Sequence, residues 1–113
     1  MSFANNPLSL GKLTVTSAGT PISFTSGFSG VLDYGTIRAS KLDVQALSTN
    51  QNNVYVGYSG MSTTTLSGVV AVLGAGDSWQ LDLPDSGNRI DVSKFWLAAD
   101  TNDDAALVVI YVG

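Results

Sequence analysis

Apolar and polar residues alternate along much of this chain with a period of two. Leu42, Val44 and Ala46 alternate with Asp43 and Gln45; after the polar turn 48–53 the alternation resumes at Val54, Val56 and Tyr58. That period sends successive side chains to opposite faces of a β-strand. Residues 41–59 therefore predict two strands, antiparallel neighbours, with Leu42, Val44, Val54 and Val56 on one buried face. Tyr55 falls on the opposite, otherwise polar face. A second-layer core position or a lone surface tyrosine is the favoured reading, and an inter-subunit contact is the alternative.

The same reading extends in both directions. Leu13 and Val15 predict a first strand, 18–21 a turn, and Ile22 and Phe24 a second strand completing a hairpin that must dock on something larger. Residues 1–10 are Asn-rich and interrupted by Pro7, which predicts a flexible N-terminal arm ahead of a β domain spanning 11–113. Phe28, Leu32 and Tyr34 sit in a glycine-rich loop, 28–35, expected to pack back on the body. Ile37 and Ala39 are in one phase and Leu42, Val44 and Ala46 in the other. The change at Ser40 and Lys41 requires either a bulge or a strand that crosses between sheets.

After Tyr58 comes a long loop of small residues, 59–68. Val70 and Val72 then predict a strand leading into the tight turn 74–77. Trp79, Leu81 and Leu83 form an amphipathic strand that Pro84 ends, and 85–88 is a further turn. Ile90 and Val92 lead to the strand 95–99, the acidic turn 100–104, and a last run, 105–112. That run is apolar on both faces, as in a central strand covered on both sides. About eight short strands with turn signals between them predict an all-β fold, a two-sheet antiparallel sandwich of jelly-roll-like type.

Composition sharpens the fold class and narrows the function. All nine acids among the 113 residues are Asp, while Ser, Thr and Gly are abundant, so the usual helix-surface fillers are missing. The net charge of −4 and five scattered cations argue against a nucleic-acid partner. The start of the chain shows neither a cationic stretch nor an apolar segment, so no secretory signal is expected, and the apolar run 69–75 is too short to span a membrane.

Without His or Cys there is no imidazole base, no thiolate and no zinc or copper site, and no cofactor or metal is expected. Ser40-Lys41 and Ser93-Lys94 are poor Ser-Lys dyads, because neighbouring side chains on a strand point apart. Asp100, Asn102 and Asp104 alternate like the start of a calcium loop, but Ala105 and Val112 stand where Gly and Glu belong; a solvated acidic hairpin turn is favoured. Trp79, in phase with Leu81 and Leu83, reads as core. Trp96 is out of phase with Phe95 and Leu97 and is the better candidate for a contact.

Taken in order, Leu42-Asp43-Val44-Gln45-Ala46, Asn53-Val54-Tyr55-Val56-Gly57, the turn from Leu73 through Ser78, the segment Asp91 to Thr101 and the terminal Val108-Val109-Ile110-Tyr111-Val112 resemble a type of small accessory virion protein of tailed bacteriophages. The resemblance spans 37–113. It implies a β-sandwich that assembles as a trimer or dimer and decorates or cements the capsid, with no catalytic residues. The expectation is a non-enzymatic homotrimer on the capsid surface of the virion, assembled in the host cytoplasm. It would bind the major capsid protein or another virion protein through repeated weak contacts. Phe3 and Pro7 in the arm, with Tyr55 and Trp96 on the body, are the candidate subunit or capsid contacts. The rival readings are a carbohydrate-binding module or phage adhesin using Trp96 or the 59–68 loop, and a neck, tail or fibre-base component.

Overall fold

The computed structural model describes residues 6–28, 38–82 and 90–112. Ten strands are described: β1 (Asn6–Thr14), β2 (Ile22–Ser23), β3 (Arg38–Ala39), β4 (Lys41–Ala46), β5 (Val54–Tyr58), β6 (Val69–Leu73), β7 (Ser78–Asp82), β8 (Ile90–Asp91), β9 (Phe95–Ala99) and β10 (Ala105–Val112). One antiparallel sheet has the order β1-β10-β4-β7, a second β2-β9-β5-β6, and β3 pairs with β8 alone. The pairs β1/β10, β2/β9, β3/β8, β4/β7 and β5/β6 are nested one inside the next. The chain is thus one long two-stranded ribbon whose tip is the β5–β6 loop. Wrapping that ribbon adds the pairs β10/β4 and β9/β5 and closes two sheets over one core. This is the jelly-roll winding that the strand pattern predicts.

The inner faces follow the period of two. Leu42, Val44 and Ala46 of β4 meet Val54 and Val56 of β5, Leu97 and Ala99 of β9 and Ala106, Val108 and Ile110 of β10 in one core cluster. Leu10 and Leu13 of β1 belong to it although they are three apart. A register shift between Ser9 and Gly11, with Gly11 at φ +101°, lets both turn inward. Of the two explanations for the phase change at Ser40, crossing between sheets is the one observed. Ser40 donates its N–H and its hydroxyl to the Tyr111 carbonyl at 2.9 and 3.1 Å, where the chain leaves β3 for β4.

The pairings expected between sequence neighbours are corrected. β4 and β5 are not side by side: they lie in different sheets and face each other across the core. β1 and β2 make no hairpin for the same reason. β2 also ends earlier than expected, because the Ser23 hydroxyl accepts the Ser26 N–H and caps a single helical turn, α1 (Phe24–Gly27), which buries Phe24 against Phe28 and Phe95. Among described residues the first strand begins at Asn6, so the stretch 6–10 of the expected arm is sheet, paired to β10 from Asn6↔Val112 onward. β10 is central as predicted, but only its Ala106, Val108 and Ile110 face is fully covered; Leu107, Val109 and Tyr111 are half-buried. Phe3, the loop residues Leu32, Tyr34 and Ile37, and the turn with Leu83 and Pro84 lie outside the described residues.

Candidate assembly surface

The sheet β2-β9-β5-β6 turns a second apolar surface outward. Its register sets Tyr55 beside Val72 and Ala98, and Gly57 beside Val69 and Trp96. On this face Tyr55, Ala98 and Met61 form a small separate cluster against which Val69 and Trp96 pack. Met61 is supplied by the 59–68 loop, which folds back as a cover. Its N–H reaches the Tyr58 carbonyl at 3.1 Å, and Ser62 and Ser67 close the loop at 2.9 Å. The cover fits because position 57 has no side chain: a Cβ there would run into the Gly68 carbonyl oxygen and come within 2.8 Å of the Met61 sulfur.

Tyr55 is therefore a second-layer core residue, 7% exposed, with its hydroxyl donating to Asp100 Oδ2 at 2.7 Å. That hydrogen bond, then burial and the carboxylate's charge, hold its pKa above the ordinary 10.0. Trp96 is half-buried beside it, on the outer face of the sheet. Trp79 packs on the inner core, its ring 6.1 Å from that of Phe95, so the two tryptophans do not share a surface. The contact residues proposed from the sequence are thus dispersed: Tyr55 and Trp96 adjoin, Pro7 is in β1 of the other sheet, and Phe3 is outside the described residues.

What sequence reasoning missed is a set of exposed apolar side chains in the same part of the chain. Among the described residues, the large apolar side chains open to solvent are Tyr58, Leu66, Val70 and Val72, all within the segment 58–72. Leu66 stands at φ +65°, a left-handed conformation that costs a side chain with a Cβ about 1 kcal/mol or more. The legible signal was the lack of any ionisable side chain in residues 59–76.

The chemical constellations resolve into structural roles. Asp104 is 4% exposed, and its two oxygens accept the Gln51 and Asn52 N–H groups at 3.0 and 2.9 Å. Asn102 Oδ1 accepts the Ala18 N–H at 2.7 Å, and Asp100 holds Tyr55. The turn 100–104 is accordingly no hairpin turn: it joins strands of different sheets and ties the loops 15–21 and 47–53 to itself at one end of the sandwich. No group of three or more acids among the described residues is placed to hold a metal ion. Ser40 is bound to the Tyr111 carbonyl while the Lys41 ammonium lies 5.0 Å from the Tyr111 ring centre. Ser93 donates its hydroxyl to Asp91, beside an exposed Lys94. No helix among the described residues is long and apolar enough to cross a membrane.

No protein-family model matches the chain, and no curated protein matches it.

Proposed function

We propose that this chain is a non-enzymatic structural protein of a tailed-bacteriophage virion. It decorates or cements the capsid surface as a homo-oligomer bound to the major capsid protein or another virion protein. The observation that carries the reading is the gathering of exposed apolar side chains at the tip of the ribbon, with Leu66 held there in a conformation that Asn or Gly would adopt at less cost. The jelly-roll winding, the Ser- and Thr-rich composition and the resemblance of residues 37–113 to phage accessory proteins support the virion setting. The glycan-binding alternative is disfavoured because Trp79 and Trp96 point to opposite sides of their sheets and make no shared aromatic platform.

The test separates contact from folding. Leu66→Asn relieves the left-handed strain, so it should stabilise the chain by about 1 kcal/mol, seen as a raised melting temperature. The same substitution should weaken saturable binding to heads of the encoding virus that lack this protein, measured by co-sedimentation. Heads that bind the wild-type chain and the variant equally would remove the tip from the contact, and heads that bind neither would reject the virion reading.

A further inference from the structure

We propose that the free edge of β6 is the docking site for a second copy of this chain, the two β6 strands pairing antiparallel about a two-fold axis centred on Ala71. The contact takes up Val70 and Val72, leaves Leu66 for attachment to a capsid, and stands whether or not the virion reading holds.

Among the described residues, the two four-stranded sheets have four edge strands, β1, β7, β2 and β6. An open edge offers unpaired backbone N–H and C=O groups to any extended strand, and proteins normally guard it with charge, proline, bulges or brevity. Three of the four are guarded here. β1 carries Pro7 and Lys12; Asp77 precedes β7 and Asp82 ends it; β2 is two residues long. β6 is five residues of Val, Ala and Leu within a stretch, 59–76, that has no ionisable side chain. Its one irregularity is at Val70, which is skipped between the pairs Val56↔Ala71 and Gly57↔Val69, so that 71–73 keep regular register with β5 and Val70 is left without a partner there.

The occupant follows from pattern and charge. β6 leaves Val70 and Val72 open, 38% and 43% exposed. Pairing about Ala71 sets Val70 opposite Val72 of the partner subunit and Val72 opposite Val70 of the partner subunit, so the edge is its own complement. The rest of the molecule carries the net charge of −4, which opposes self-association except where the contact is neutral, as it is here. A cationic or anionic partner would find no counter-charge on this strand. Joined this way, two four-stranded sheets become one of eight. The contact is isologous and closes at two copies, the dimeric alternative of the trimer or dimer that the resemblance implies.

Light scattering after size exclusion, on the full chain from micromolar to millimolar concentration, should give a species of twice 11.7 kDa. Val70→Lys and Val72→Asp each place a charge in the paired edge and should weaken the dimer about a hundredfold. Both sites are exposed, so circular dichroism and melting temperature should stay as in the wild type. Mixing the Val70→Lys chain with the Val72→Asp chain should restore a heterodimer, because the proposed register brings the two charges face to face. A wild-type monomer, a trimer, a dimer indifferent to both substitutions, or a mixture that stays monomeric overturns the proposal.

Discussion

A buried carboxylate is retained at position 104 because two backbone amides need it. The loop 47–53 must turn from one sheet to the other, and its Gln51 and Asn52 N–H groups find their acceptors in Asp104. The alternation of Asp100, Asn102 and Asp104 was visible in the sequence. Their roles were not, because every side-chain partner comes from a segment remote in the chain. Tyr55 shows the same limit: its phase was legible, but the loop that buries it and the acid that binds it were not. Its raised pKa has a testable consequence. A folded-state pKa above the ordinary value means the fold favours the protonated phenol, so the stabilisation is complete below pH 10 and is lost as pH rises through the raised pKa. Below pH 10, Tyr55→Phe should lower stability by about 1 kcal/mol, near 4 °C in melting temperature. Above it the wild-type curve should fall towards that of the variant. Parallel curves through that range would show that the hydroxyl's bond to Asp100 contributes nothing.

Strand phases were legible and strand partners were not, and the nested ribbon explains both. Phase depends on neighbouring residues alone, which is why Leu42, Val44, Val54 and Val56 face the core as the alternation requires. Pairing depends on winding. Consecutive strands are usually neighbours, but among the described strands of this ribbon the only consecutive pair is β5 and β6, at the tip. That tip is also where an element's shape rests on one residue. Gly57 lets the 59–68 loop lie flat on β5, with the Gly68 carbonyl and Met61 in the space a side chain would take. Gly57→Ala should therefore cost about 2–3 kcal/mol through overpacking. The loop, rather than the sandwich core, should give way, so amides of 59–68 should exchange faster with solvent while those of β4 and β10 keep their protection relative to global stability. Uniform loss of protection across all strands would place the strain in the core instead.

The first and last described strands close the molecule. β1 and β10 are the outermost pair of the ribbon, joining Asn6 to Val112, and β10 is held between β1 and β4. Loss of the first strand would therefore remove a wall of the core and not merely an appendage. A flexible arm over residues 1–10 would predict that deleting 2–10 leaves the fold untouched. The observed pairing predicts otherwise. The deletion removes Leu10 from the core, worth about 2–3 kcal/mol on its own. It also strips the pairing of Asn6 to Ser9 from β10 and turns the 109–112 end of that central strand, with Val109 and Tyr111 on its outer face, into an open edge. The truncated chain should melt about 10 °C or more below the full one. It should also associate in a way that Val72→Asp does not suppress, since the new edge is in the other sheet. A truncated chain with unchanged melting temperature would mean that β1 adds nothing to the sheet before Gly11, and that the sandwich is sealed by its remaining strands alone.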